Sequence, residues 1–229
     1  MGIAKDLIKI FCYQKKINKD LFLGDTLLVS QNAVYANENE VLKIFKKYNL
    51  KKNGSKKFFD KKNKIISWKG TKKDNNINAY YLMKLFGSSN SKCCDVSSYE
   101  DPDFILDLNK PIKKSLYNKY NNIVDTGTFE HIFNIPRVLE NYTKILKKNG
   151  HLVISTTCSN LIDHGFYSFS PTFFFDYFEV NGFKIKNFFL KEYSPYLFEE
   201  DSKIYIYNGR GSEIPFISGK AVEVIIIAK

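Results

Sequence analysis

Residues 121–156 read NNIVDTGTFEHIFNIPRVLENYTKILKKNGHLVIST. Asn122–Asp125 is a short apolar run closing on an acid, as a strand does when it leaves a sheet for a turn. Thr126–Gly127 supplies that turn. Pro136 suits the first turn of a helix, where its missing N–H has no partner to lose. Val138, Leu139, Tyr142, Ile145 and Leu146 then share one face of a helix running to about Lys147. Asn149–Gly150 closes it, and His151–Thr156 reads as a buried strand, with His151 a satisfied structural histidine. Strand, helix and strand over so short a span make a βαβ unit, which implies a parallel pair.

Outward from this unit the alternation continues. Thr26–Ser30 is a strand, and Glu38–Lys47 has helical apolar spacing at Val41, Leu42, Ile44 and Phe45. Ala79–Phe86 is helical, with Gly87 placed beyond its end to take the left-handed conformation. Short strands are expected at Lys92–Cys94 and Phe104–Leu106. Ser170–Pro171 opens a helix, Ser170 being a good N-cap. Phe183–Leu190 and Val222–Ala228 are the last strands. No long helix separates those two, so they are expected to pair antiparallel. The predicted fold is α/β: a Rossmann-like, mostly parallel sheet with an antiparallel last strand and helices on both faces, in a single domain spanning 1–229. Ligands of such sheets sit beyond the C-terminal ends of the strands.

Bulk composition narrows the classes. The 229 residues are 44% hydrophobic and 16% aromatic, enough for a real core. No apolar run is long enough to span a bilayer, so no membrane insertion is expected. The N-terminal MGIAKDLIKIFCYQKK is broken by Lys and Asp and does not read as a signal peptide. Cys12, Cys93, Cys94 and Cys158 have no C-x-x-C spacing, which predicts reduced thiols in a cytoplasmic protein. The net charge of +11 is local: residues 43–73 hold 13 Lys against one acid, Asp60, leaving the rest of the chain near neutral. With only two Arg in the chain, the segment at about 46–64 reads as an exposed lysine-rich loop rather than a nucleic-acid track. Ile65, Ile66 and Trp68 are expected to return to the core.

The absence of G-x-x-x-x-G-K-[ST] excludes a P-loop NTPase. The lack of G-x-G-x-x-G after the first strand argues against a nicotinamide or flavin enzyme, and the lack of G-x-S-x-G against an α/β-hydrolase. Four polar clusters fall at predicted strand ends. Asp95 closes a strand, where a carboxylate can accept both hydroxyls of a ribose. Asp107-Leu108-Asn109 follows the next strand, where a short polar side chain can meet an adenine edge. In VDTGTFEHIFN, Glu130 and His131 suit general-base work or metal ligation. In DHGFYSFSP, His164, Tyr167, Ser168 and Ser170 surround a glycine on a strand-to-helix loop, a position where function concentrates.

Read together, DVSSYEDPDFILDLNKPI, residues 121–156 and HGFYSFSPTFFFDYFEVNGF resemble a family of bacterial class I S-adenosylmethionine (SAM)-dependent methyltransferases. The similarity covers roughly residues 20–190. Some members of that family resemble O-methyltransferases acting on nucleotide-linked sugars for capsule or other surface polysaccharides. The resemblance implies a seven-stranded sheet with a reversed last strand, SAM as cofactor with S-adenosylhomocysteine as product, and a small-molecule or nucleotide-sugar acceptor. By position it puts Gln31 at the SAM site, Asp95 on the ribose, Asp107 and Leu108 on the adenine side, and Asp125, Thr126 and Gly127 along the methionine portion. Glu130, His131 and His164 would face the acceptor as catalytic groups, with Tyr167 and Ser170 binding it.

The first loop departs from the pattern: LLVSQNAVY has no glycine where class I enzymes usually have a glycine-rich turn. His131 is the first choice of base and His164 the second. A divalent metal held by Glu130, His131 and His164 is a less favoured alternative. That triad is similar to the metal site of small-RNA 2′-O-methyltransferases, but Gly127 stands where those enzymes carry a further Glu. A nucleic-acid methyltransferase using the lysine segment and a non-catalytic methyltransferase-like binding protein are the competing function classes. Homo-oligomer formation stays open.

Overall fold

The computed structural model describes residues 2–53, 75–194, 202–209 and 216–229. Its centre is an eight-stranded sheet. Its strands are β1 (Gly24–Val29), β4 (Ser88–Asp95), β5 (Phe104–Ile105), β6 (Tyr120–Thr126), β7 (Leu146–Ser159), β8 (Ile185–Glu192), β9 (Lys203–Ile206) and β10 (Val222–Ala228). They lie in the order β5-β4-β1-β6-β7-β10-β8-β9. Strands β5, β4, β1, β6 and β7 run parallel. β10 inserts between β7 and β8, antiparallel to both. The sheet is therefore the expected Rossmann-like one, with the last strand reversed. β9 extends it with an antiparallel edge the sequence reading did not include. The chain winds from β1 through β4 to β5 and restarts at β6 on the other side of β1, so the topological switch point lies between β1 and β6.

Strand residues alternate strictly between two cores. Leu28, Cys93, Val124, Val153, Phe189, Ile225 and Ile227 face one side, against the helices α1 (Lys5–Ile17), α2 (Glu38–Lys47) and α3 (Ala79–Phe86). Leu27, Val29, Cys94, Ile123, Ile154, Phe188, Leu190, Val224 and Ile226 face the other, against α4 (Ile135–Ile145) and α5 (Pro171–Val180). Phe11, Phe22, Phe45 and Phe86 on the first side, and Phe129, Phe174 and Phe178 on the second, are fully buried. Each such ring stabilises the fold by on the order of 1.5–3 kcal/mol. A small antiparallel pair, β2 (Ala33–Asn37) with β3 (Asn76–Asn78), sits apart from the main sheet. Ile3 bridges to Val34 and pins the N-terminal arm there.

Helix ends follow their caps. Asn37 and Glu40 form a reciprocal capping box on α2. The Asn78 side chain accepts from the Tyr81 amide, and Gly87 ends α3 at φ 108°. Ser170 accepts from the Thr172 amide at the head of α5. Among the described residues no helix is long and apolar enough to cross a membrane.

The structure adds to the sequence reading and corrects it in places. The N-terminal stretch, to which the sequence reading assigned no element, forms α1, which buries Leu7, Ile8, Phe11 and Cys12. Helix α2 spans the expected Glu38–Lys47, and its last turn holds Lys46 and Lys47, where cations complement the helix dipole. The continuation of the lysine-rich segment, with Ile65, Ile66 and Trp68, lies outside the described residues. His151 is buried, but its Nε2 stands 3.7 Å from Asp20 and has no hydrogen-bond partner among the described residues.

Candidate functional site

The turn after β1 is made without glycine. Ser30 takes a left-handed φ of 61°, a conformation costing a non-glycine residue about 1–2 kcal/mol. Its amide donates to the Cys94 carbonyl at 2.8 Å, and its hydroxyl donates to Asp95 Oδ2 at 2.8 Å. Asp95 Oδ1 accepts from the Ser97 amide at 2.9 Å. The carboxylate stands half-buried at the end of β4, beside the β1 loop. Glu100 lies close by: burial and the Asp95 charge push its carboxyl up, against a pull from the Gln31 amide. Asn32 is buried and holds the loop, donating to the carbonyls of Val29 and Ser30 and accepting from the Thr126 hydroxyl at 2.6 Å. This last bond spans the switch point. Ser30, Asn32 and Glu100 were not singled out from the sequence; the polar triplet Ser30-Gln31-Asn32 at a strand end was the available signal.

Asp107 makes local contacts and Leu108 packs inward. Asp107 Oδ1 accepts from the Asn109 amide and side chain, and Lys110 pairs with the other oxygen at 3.0 Å. Those contacts, Lys110 first, hold its carboxyl below the usual range. The Leu108 side chain is in the core against α4.

Asp125 is completely buried. Its carboxylate accepts from Tyr142 Oη at 2.6 Å and from the amides of Thr128 and Phe129 at 2.9 and 3.2 Å. Burial pushes its pKa up to about 7, against these three donors. The side chain is committed to shaping the turn, which Gly127 makes at φ 98°. That turn delivers a single 3-10 turn, Phe129–His131.

This short turn points Glu130 inward and His131 outward. Glu130 has no exposed surface. Its Oε2 accepts from the Thr156 hydroxyl at 2.8 Å. Its Oε1 lies 3.3 Å from His164 Nε2. Neither of those two buried atoms has a hydrogen-bond partner among the described residues. The His131 and His164 rings meet edge to face, with centroids 4.9 Å apart. Burial opposes ionisation of Glu130, but His164, the local backbone and Thr156 outweigh it and hold the carboxyl below its ordinary value. Burial lowers the His131 pKa, and the His164 neighbour adds to this, while Glu130 opposes it. Gly165, at φ 74°, brings the His164 loop against Glu130: a Cβ there would lie 2.8 Å from both Glu130 Cγ and its carbonyl oxygen. The Phe166 amide donates to that carbonyl at 2.7 Å.

Tyr167 donates its hydroxyl to the Phe133 carbonyl at 2.8 Å. Phe133 and Phe166 stand exposed beside the two histidines, at 70% and 65%. Ser170 is occupied as the α5 cap, at one edge of this rim. The structure thus joins Glu130, His131 and His164 in one cluster past β6 and β7, while Tyr167 packs with Phe133 and Phe166. Asp95, with Gln31 nearby, lies on the other side of the switch point.

No protein-family model and no curated protein matches the chain. Among solved structures, a SAM-dependent methyltransferase from Leishmania major aligns at 11% identity and a TM-score of 0.47, over 97% of this chain and 72% of that one. A SAM-dependent methyltransferase from Archaeoglobus fulgidus aligns at 12% identity and a TM-score of 0.47, over 97% and 94%. The trans-methyltransferase CalH, in complex with S-adenosylhomocysteine, aligns at 10% identity and 0.46, over 98% and 54%.

Proposed function

We propose that this chain transfers a methyl group from SAM to a hydroxyl of a small acceptor, a nucleotide-linked sugar destined for capsule or other surface polysaccharide. The observation that carries the reading is the division of labour across the switch point. A carboxylate, Asp95, ends the strand next to β1, and a Glu–His–His cluster lies past the ends of β6 and β7. Doubly wound sheets bind nucleosides in this crevice. The residues present fit SAM: the half-buried Asp95 carboxylate can accept the two ribose hydroxyls, and the left-handed turn at Ser30 does the work usually left to glycine. Gln31 borders the same turn. Asp107, partly exposed, keeps acceptor capacity beside its turn contacts for the adenine side, and Asp125 and Thr126 serve through the shape of the loop they hold.

When bound, SAM supplies an electrophilic methyl group, so the protein's tasks are alignment and proton removal. We assign proton removal to His131, the exposed member of the cluster, with His164 the second choice; the buried Glu130 acts on the acceptor only through them. The exposed Phe133 and Phe166 beside them offer apolar faces to its rings. The nucleotide-sugar class rests on the family resemblance.

The test is calorimetric titration with S-adenosylhomocysteine, followed by mass-spectrometric screening of nucleotide sugars incubated with SAM. Wild type binds and Asp95→Ala loses most of its affinity while folding normally. Absence of S-adenosylhomocysteine binding by wild type sinks the reading.

A further inference from the structure

We infer that Glu130, His131 and His164 form a binding site for one divalent transition-metal ion. That the ion acts on the acceptor hydroxyl rests on the methyltransferase reading; the site itself does not.

The buried pair carries the argument. Glu130 Oε1 and His164 Nε2 are both shielded from solvent, both lack a hydrogen-bond partner among the described residues, and face each other at 3.3 Å. A buried carboxylate oxygen that faces an imidazole nitrogen without hydrogen-bond geometry is poorly satisfied, and burying a charge so is costly. Two ligand atoms each bound at about 2.1 Å to one ion stand roughly 3.0–3.5 Å apart in octahedral or tetrahedral geometry. The observed 3.3 Å fits this spacing. One ligand atom from each of the three residues lies within 4.8 Å of the others. The exposed His131 ring, edge to face with His164 at 4.9 Å between centroids, supplies the third ligand atom.

The surroundings are those of a held ligand set. Thr156 fixes the second Glu130 oxygen, as outer-shell donors do for ligating carboxylates. Gly165 lets the His164 loop approach within contact of Glu130, which a side chain would prevent. The two imidazoles come from different loops, and the third ligand is locked in the core. Three protein ligands leave coordination positions open on the His131 side. Two nitrogens and one carboxylate favour zinc, manganese, iron(II) or cobalt(II) over magnesium or calcium, which prefer oxygen. An ion there lowers the pKa of a bound hydroxyl, a task a lone histidine performs less well for a sugar alcohol.

Chelator-treated, dialysed full-length protein is titrated with Co²⁺, read by calorimetry and by the visible ligand-field absorption of the ion. One equivalent per chain should bind. His131→Ala and His164→Ala should each weaken it by more than the roughly 10–100-fold that loss of an outer-shell partner costs, and Thr156→Val by about that amount. His131→Ala removes an exposed side chain, and its fold is checked by thermal melting. S-adenosylhomocysteine affinity is measured on the same metal-free samples. Nucleoside binding without Co²⁺ binding overturns the metal site and leaves the methyltransferase reading standing; Co²⁺ binding without nucleoside binding does the reverse. Co²⁺ affinity unchanged in both histidine variants also overturns the site.

Discussion

Ser30 donates its hydroxyl to Asp95 at 2.8 Å while holding a left-handed backbone at φ 61°. One residue therefore makes the turn after β1 and fixes the carboxylate that ends β4. Its two roles separate by substitution. Ser30→Gly relieves about 1–2 kcal/mol of backbone strain, offset in part by the greater freedom of glycine in the unfolded chain. It also removes a hydrogen bond to a charged group. Ser30→Ala keeps the strain and removes the bond. Both should weaken S-adenosylhomocysteine binding several-fold, about 1 kcal/mol, while only Ser30→Gly keeps or raises the melting temperature. Equal affinity in wild type and Ser30→Ala would remove the Ser30–Asp95 bond from the binding site.

Tyr142 reaches from the middle of α4 to the fully buried Asp125. Tyr142→Phe leaves the ring packing intact and takes one donor from a carboxylate with no access to water. Loss of such a donor costs about 1–3 kcal/mol. Urea unfolding should show that loss with an unchanged m-value. Because Asp125 shapes the turn before Glu130, Tyr142→Phe should also slow methyl transfer more than it weakens nucleoside binding. A variant as stable as wild type would mean the amides of Thr128 and Phe129 suffice.

The fold was legible in the sequence where packing is two-sided and regular. Residues 121–156 read as strand, helix and strand because Val138, Leu139, Tyr142 and Ile145 keep helical spacing and Ile123, Val124 and Leu152–Ile154 are continuous apolar runs. The helix α1 was missed because Lys5, Asp6 and Lys9 interrupt its apolar residues; Asp6 is itself buried and paired with Lys9. β9 was missed because its four residues are an exposed edge with no core pattern. At the site, the adjacent Glu130-His131 pair and the distant His164 were readable as strand-end residues. Their opposite directions were not, since a single 3-10 turn decides which points inward. The inward commitment of Asp125 was likewise invisible, because its partner Tyr142 looked like an ordinary core aromatic.

His151 gives the fold a defined acid sensitivity. Its pKa is lowered to about 4, first by burial and further by Lys229, Lys186 and Lys15, with Asp20 opposing. The unfolded chain titrates near 6.5. Between those values the unfolded state binds the extra proton, so stability is full above about pH 6.5 and is lost as pH falls toward 4. The contribution is roughly 1–3 kcal/mol. Urea midpoints measured from pH 7.5 to 4.5 should fall more steeply for wild type than for His151→Gln. Parallel curves would mean that the imidazole finds a proton partner in the folded state.

Gly165 and Gly182 share the same left-handed φ of 74°, and they differ in what surrounds them. A Cβ on Gly182 would meet nothing within 4 Å, whereas one on Gly165 would stand 2.8 Å from Glu130 Cγ and from the Glu130 carbonyl oxygen. Alanine at either position carries the same backbone strain, about 1–2 kcal/mol. Only at Gly165 must something also move. The carbonyl oxygen is backbone and already holds the Phe166 amide at 2.7 Å, so the His164 loop must yield. Displacing it separates His164 from Glu130 and opens the cluster. Gly182→Ala should therefore lower the melting temperature by a few degrees and leave methyl transfer intact. Gly165→Ala should lower it at least as much and reduce turnover by about 10²-fold, the scale on which mispositioned catalytic groups lose rate. Its affinity for S-adenosylhomocysteine should fall far less than its turnover, because the ribose carboxylate Asp95 and its partner Ser30 belong to other loops. Turnover equal in the two variants would show that the approach of the His164 loop to Glu130 has no part in the chemistry.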